Sequence, residues 1–202
     1  MYSGDISLTV YTEILKAGRI AWDIETNGLD PKQAKIGTCQ LYSPEIGAVV
    51  VTDLADASPK YLPALLAEYG VLKVFHHAPF DVSFMTNAWG VRAKNVACTK
   101  IAAKILSPSA PAEEYSLKHL LRRHFNVPVD KYMRFTNWLS DSLSEKQVEY
   151  AVTDVIKLLD LYDLFQSQLA RKGLTQLYDE CRNFLPSHVS LKLLGCPDPF
   201  KY

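Results

Sequence analysis

The sequence predicts an α/β fold: a mixed sheet, an antiparallel meander plus parallel strands, flanked by helices. Three observations predict it. Three β-rich stretches, Arg19 to Glu25, Ile36 to Tyr42 and Ala48 to Val51, follow one another across short polar loops, the pattern of a meander. From Pro59 the apolar period becomes helical, and a compact apolar strand at Val71 to Phe75 stands between two helical stretches. The chain has 202 residues, 48% apolar and 22% charged, which suits one packed domain spanning 1-202.

At the start, Asp5 to Tyr11 alternates apolar and polar residues and reads as an edge strand, with Thr12 to Ala17 a short helix. The strand Arg19 to Glu25 is followed by the turn signals Asn27-Gly28 and Asp30-Pro31. Ser43 to Gly47 separates the second and third strands of the meander. Tyr61, Leu62, Leu65, Leu66 and Tyr69 recur at helical spacing, and Gly70 stands where that helix would stop. Pro79, at a first helical position, opens a helix that carries Phe80, Phe84, Met85 and Trp89 and ends at Gly90.

The remainder reads as helices at Cys98 to Leu106, at Ser116 to Phe125, and at one long segment from Ser144 to about Lys172, stopped by Gly173. Ser144-Glu145-Lys146-Gln147 has the form of a capping box. The irregular stretch Asn126 to Asp141 is read as a flap over a site. Residues 174-202 are read as a helical or extended tail that packs on the core or on a neighbouring subunit.

The 22 basic and 22 acidic residues cancel, which excludes the strong positive charge used to grip long duplexes by counterion release. A local basic stripe remains: Lys118, His119, Arg122, Arg123 and His124, followed by Lys131 and Arg134. It reads either as a phosphate contact or as the solvated face of a helix. Cys39, Cys98, Cys181 and Cys196 lack the C-x-x-C spacing of a zinc or redox site and are read as buried thiols. No stretch approaches the ~20 apolar residues of a membrane span, and no N-terminal run has the form of a secretion signal. A cytoplasmic location fits both readings.

Asp23 and Glu25 are two apart on a strand, so their side chains leave on one face, about 7 Å apart along the backbone. Such a pair is common by chance on a solvated face. This one lies among Ile20, Ala21, Trp22 and Ile24, where unpaired charge is costly, and two carboxylates there could share a cation. Asp81 lies one turn into the helix that follows Val71 to Phe75. An acid there suits the helix dipole, and it also stands at the C-terminal end of a strand, where open α/β folds collect their sites. Tyr150 and Asp154 are four apart and share a helix face, separated by the small or apolar Ala151, Val152 and Thr153.

Together, Asp-x-Glu on a strand, Asp after a later strand and Tyr-x-x-x-Asp on a late helix resemble the DEDD exonuclease superfamily in its tyrosine form, DEDDy, which includes ribonuclease D. The resemblance runs from Ile20 to about Leu161. It extends to Ile36 to Leu41, to His76 ahead of Asp81, and to Asn137-Trp138-Leu139 before Leu143 to Gln147. Cys98 departs from it, since many relatives carry Asp there, but the four acids are intact.

The resemblance implies a ribonuclease H-like fold and a metal-dependent 3′-5′ exoribonuclease that hydrolyses short RNA to 5′-mononucleotides. It implies two divalent cations, Mg2+ or Mn2+, about 4 Å apart and held by carboxylate oxygens. Asp23 would bridge both, Glu25 and Asp154 would complete the nucleophile-side site, and Asp81 would support the second. Tyr150 would orient the attacking water. Thr26, Gly28 and Leu29 lie directly beyond the acidic strand and are expected at the substrate, Leu29 as an apolar wedge on the terminal bases or else as a core leucine in a turn. His76 and His77 line the pocket or are buried, hydrogen-bonded histidines. Lys100, beside Thr99, meets a phosphate or is solvated.

Ribonuclease D carries helical nucleic-acid-binding domains after its catalytic domain, whereas about thirty residues follow Lys172 here. With the neutral charge, that favours a substrate with few phosphates. The tail Cys181 to Gly195 resembles that of the compact nano-RNase C enzymes, which cleave dinucleotides and assemble as closed octamers. The partners implied are short single-stranded RNA or DNA and further copies of the chain, although Val189, Leu191, Leu193 and Leu194 could equally pack on its own core. Two rivals stand: a general exonuclease acting on longer RNA or on DNA, and an inactive nucleic-acid-binding module. The second predicts a replaced acid, and all four acids and Tyr150 are present.

Overall fold

The computed structural model describes residues 1–127, 136–140, 142–196 and 198–200. Its six strands are β1 (Tyr2–Ser3), β2 (Arg19–Thr26), β3 (Ile36–Ser43), β4 (Gly47–Thr52), β5 (Leu72–Phe75) and β6 (Val96–Cys98). They form one sheet in the order β1-β4-β3-β2-β5-β6. β2, β3 and β4 are the antiparallel meander, while β5 pairs parallel with β2, β6 with β5, and β1 with β4. This is the mixed sheet that the sequence predicts.

Eight helices flank it among the described residues: α1 (Leu8–Ala17), α2 (Tyr61–Ala67), α3 (Ala78–Trp89), α4 (Thr99–Leu106), α5 (Leu117–Phe125), α6 (Glu145–Ile156), α7 (Leu158–Arg171) and α8 (Thr175–Leu194). The alternation of β2 decides what each face meets. Ile20, Trp22 and Ile24 point into a core with residues of α1, α2, α3 and α8, where Trp22 stacks on Phe75 at 5.9 Å between ring centroids. Ala21 points the other way, into a second core with α4, α5, α6 and α7. Asp23 and Glu25 share Ala21's face by period, and α6 crosses β2 and β3 on that face. The small Ala21 and Ala151, both fully buried, let helix and sheet approach. Each large apolar side chain buried in either core, such as Leu41 or Leu161, contributes about 1.5–3 kcal/mol.

Several expectations need correction. Asp5 to Tyr11 is not a strand: Ser7 caps α1 by accepting from the Val10 N–H at 3.2 Å, and the edge strand lies earlier, at Tyr2–Ser3. Asp5 instead caps α2 from a distance, accepting from the N–H groups of Lys60 at 2.6 Å, Tyr61 at 2.7 Å and Leu62 at 3.1 Å. α2 ends at Ala67, before Gly70. β6 precedes the helix expected to begin at Cys98, which starts at Thr99. The long late helix is two, broken at Lys157, whose φ of −101° and ψ of 4° leave the helical range. The capping box at Ser144 and Gln147 is formed in both directions.

Only Cys39 and Cys98 are buried thiols; Cys181 is half-buried and Cys196 exposed. In the tail, α8 lies against α3 and sends Leu185 and Val189 into the first core. No helix among the described residues is long and apolar enough to cross a membrane. Most of the flap expected at Asn126 to Asp141, with Lys131 and Arg134 of the basic stripe, lies outside the described residues.

Candidate active site

The sheet and α6 bring the acids together. Asp23, Glu25 and Asp154 each offer a carboxylate oxygen, and the three atoms lie within 4.8 Å of one another. The register explains the first two, because β2 places Asp23 opposite Gln40 of β3 and Glu25 opposite Thr38. Asp154 comes down from α6, one helical turn beyond Tyr150. Asp81 enters from the first turn of α3 and is only 2% exposed.

Crowding shows in the acid strengths. Burial first, then the charges of Asp81, Asp154 and Glu25, push the Asp23 carboxyl well above the usual carboxylate range, against a hydrogen bond to the Ile24 backbone. Burial also raises Asp81, opposed by the backbone of Asp81 and Ile24 and by the charge of Lys192. Carboxylates gathered this tightly in low dielectric repel one another unless protons or cations intervene. Among the described residues the clustered donors are all hard carboxylate oxygens, the kind that hard divalent cations take. The residues therefore fit a divalent-cation centre.

The other expected residues are placed unequally. Thr26 is half-buried and its hydroxyl donates to the Gly28 carbonyl at 2.7 Å, bracing the turn that leaves β2. A side chain at Gly28 would press on Ala34 Cβ at 2.9 Å, so the turn needs glycine there. Leu29, 78% exposed, is not a core leucine. His77 caps α3 in the left-handed region, at φ 68° and ψ 41°, with its side chain exposed. Lys100 is half-buried in the first turn of α4.

His76 is committed to the fold. Nε2 lies 3.0 Å from the Tyr115 carbonyl, which can only accept, so Nε2 carries the proton and Nδ1 accepts from the Thr99 hydroxyl at 2.9 Å. Burial, then the charges of Lys100 and His77, lower its pKa to about 3. With both ring nitrogens engaged, it has no edge left for a substrate.

Sequence reasoning passed over Thr38 and Gln40. Both are buried, with Gln40 Nε2 donating to Thr38 Oγ1 at 2.6 Å, and both lie cross-strand from the acids. The signal was present, since polar Thr38, Gln40 and Tyr42 alternate with Cys39 and Leu41. Lys192 was also missed. Its Nζ reaches Ser83 Oγ at 3.2 Å, two residues beyond Asp81, and only the folded position of α8 brings it there.

Comparison with known proteins gives one consistent result. Residues 5–170 match the family described as 3′-5′ exonuclease. Ribonuclease D of Haemophilus influenzae is 31% identical over 164 residues, 80% of this chain and 40% of that protein. The chain thus spans about two fifths of the length of that curated relative. A solved structure described as the apo form of the nuclease superposes with a TM-score of 0.93 at 32% identity, over 100% of this chain and 97% of the other. Brucella melitensis NrnC bound to pGG gives 0.90 at 28% identity over 100% and 97%, and the same protein with bound Mg2+ gives 0.89 at 27% over the same shares.

Proposed function

The chain belongs to the 3′-5′ exonuclease family, and from that premise we propose that it hydrolyses the terminal phosphodiester bond of short RNA, dinucleotides included, releasing 5′-mononucleotides. The observation that carries the reading is the meeting of Asp23, Glu25 and Asp154 within 4.8 Å, with buried Asp81 near enough for its charge to act on Asp23. The pGG bound by NrnC supports a short substrate, and the Mg2+ bound by the same protein supports the cation. The proposal takes residues 1-202 as one exonuclease domain with 174-202 a tail that packs on the core or on a neighbouring subunit, α8 of that tail sending Leu185 and Val189 into the first core. It includes a cytoplasmic setting, in keeping with free thiols at Cys39 and Cys98.

In this reading Asp23, Glu25, Asp81 and Asp154 hold two divalent cations, Mg2+ or Mn2+. Bound there, the cations acidify water and offset charge on the leaving oxygen. The protein's own part is positioning. Tyr150 holds the attacking water in line with the phosphorus through its hydroxyl. Water adds to phosphorus, the bond to the 3′ oxygen breaks, and that oxygen leaves with a proton. Leu29, exposed at the rim, wedges against the terminal bases and so favours an end over a middle. Thr26 and Gly28 fix the turn that presents it, His77 lines the pocket and Lys100 meets a phosphate of the substrate.

A time course on end-labelled RNAs of two, three, seven and about twenty nucleotides, with Mg2+ and with Mn2+, beside matching DNAs, tests the proposal. Steep preference for the shortest RNA is the expected result. Equal rates on all lengths would make the protein a general trimming exonuclease, and cleavage of none would leave a nucleic-acid-binding module. Self-association is part of the same proposal, an octamer if the likeness to NrnC extends to assembly; exposed Leu177, Phe184, Leu194 and Phe200 on the tail favour it. A monomeric mass in light scattering would remove it.

A further inference from the structure

We infer that residues 136–139 form a strap, fastened by Gln147 and Gly37, that sets the position of the Tyr150 ring, with Trp138 and Gln147 as its positioning residues. The inference rests on the role proposed for Tyr150. It begins from an anomaly of burial: Trp138 lies in an irregular stretch, between residues that are exposed or half-buried, yet is itself 2% exposed. Its ring lies 6.0 Å from that of Tyr150, tilted by 37°, within the range of favourable aromatic contact.

Two independent features hold the strap. Gln147, the third residue of α6, closes the capping box through Oε1, accepting from the Ser144 N–H at 3.0 Å. Its other end, Nε2, donates to Thr136 Oγ1 at 3.1 Å and to the Asn137 carbonyl at 3.2 Å. One amide thus fixes the start of α6 and the strap against each other, three residues before Tyr150. On the far side the strap presses on β3 at Gly37, where an added Cβ would come within 2.3 Å of the Trp138 carbonyl oxygen. Such an approach is open only to glycine. Gly37 precedes Thr38, the cross-strand partner of Glu25, so the strap bears on the sheet where the acids leave it.

The chemistry of the indole supports a role of shape. Nε1 of Trp138 is buried and has no hydrogen-bond partner among the described residues. A buried donor left unsatisfied costs about 1–3 kcal/mol, so the ring is kept at this place for the surface it offers Tyr150. A phenylalanine offers part of that surface without the orphaned donor. A leucine offers no ring.

The substitutions that test this separate strap from cap. Gln147→Glu keeps an acceptor for Ser144, since glutamate also closes a capping box, but removes the donor to Thr136 and Asn137. Gln147→Glu, Trp138→Leu and Trp138→Phe are each made in the parent and in a Tyr150→Phe background. Each is assayed for kcat and KM on end-labelled RNA of the length the parent cleaves fastest, and for Mg2+ binding by calorimetry. Expected in the parent background is a kcat lower by about tenfold for Gln147→Glu and Trp138→Leu, less than the ~10²-fold that a 1 Å misplacement can cost. KM and Mg2+ binding stay unchanged, and Trp138→Phe recovers most of the rate. In the Tyr150→Phe background the same changes lower kcat by less than about twofold, because residues acting as one unit are not additive. Full losses persisting in that background would overturn the strap's role while leaving that of Tyr150 intact. No loss from Tyr150→Phe alone would overturn the role of Tyr150, and the strap's with it.

Discussion

β2 and α6 meet over the same acids but are held there by different means. β2 is hydrogen-bonded to β5 over Arg19 to Ala21 and to β3 over Ala21 to Thr26, and its apolar residues are buried in cores on both sides. Asp23 and Glu25 are placed by sheet register, which only a gross rearrangement could shift. α6 has no such ladder. Its start depends on the capping box of Ser144 and Gln147, its middle rests on the sheet through Ala151, and it ends after Ile156 where the chain breaks at Lys157. The comparison teaches that the acids on the strand take their places from register with β3, while that on the helix can be tuned from outside the site.

The largest effects test whether the two elements contribute to one centre. Asp23→Asn and Asp154→Asn should each lower turnover by about 10³-fold or more, because in the proposed site one missing carboxylate would leave the cations without a needed ligand. Both proteins should keep the parent's circular dichroism. A loss at Asp23 with near-parent activity at Asp154 would break the pairing of strand and helix. Next in size is Tyr150→Phe, expected to reduce kcat by about 10²-fold, at the lower end for a side chain that handles the attacking group's proton or orientation. Mg2+ affinity by calorimetry should not move. A lost cation there would make Tyr150 part of the metal centre.

Smaller effects sharpen the contrast in how each element is held. Gly37→Ala must displace the Trp138 backbone and should destabilise the fold by about 1–3 kcal/mol, the usual cost of overpacking. Ser144→Ala removes the side chain that accepts from the Gln147 N–H and should cost about 1 kcal/mol. Urea melts read both. If Ser144→Ala proves as costly as Gly37→Ala, α6 is held chiefly by its cap.

What could be read in the sequence follows the same division. β2, β3 and β4 were legible within a residue or two because alternation and turn residues act locally, and α3 because Pro79 and Gly90 bracket it. The spacing of Asp23 with Glu25 and of Tyr150 with Asp154 fixed their faces before any tertiary contact was known. Contacts between distant segments left no such trace. Asp5 caps α2 across more than fifty residues, Lys192 reaches Ser83 across 109, and Gly37 is glycine on account of Trp138. β6, with three residues, is too short for a period to register, and Lys157 breaks a helix without glycine or proline to mark it. Asp5 to Tyr11 alternates by accident, in a window short enough to fit either period.

The smallest predicted effect concerns the cost of gathering the acids. The Asp23 carboxyl is raised by burial and by its acidic neighbours, so from the unfolded value near ~3.9 up through the folded value the native state holds more protons than the unfolded one. Stability attributable to Asp23 therefore falls as pH rises across that window. His76 acts in the opposite sense: lowered to about 3 chiefly by burial, it withdraws stability as pH falls below about 6.5. The difference between the parent and Asp23→Asn reads Asp23 together with the effect of its charge on Asp81, Asp154 and Glu25. Without divalent cation, Asp23→Asn should melt higher than the parent, and the gap should widen as pH rises above about 4. Added Mg2+ should narrow it by stabilising the parent more than the variant, since a ligand bound only by the native state raises its stability. A gap that stays constant with pH would mean that Asp23 is ionised without strain in the folded protein. The register of β2 would then cost nothing in charge repulsion.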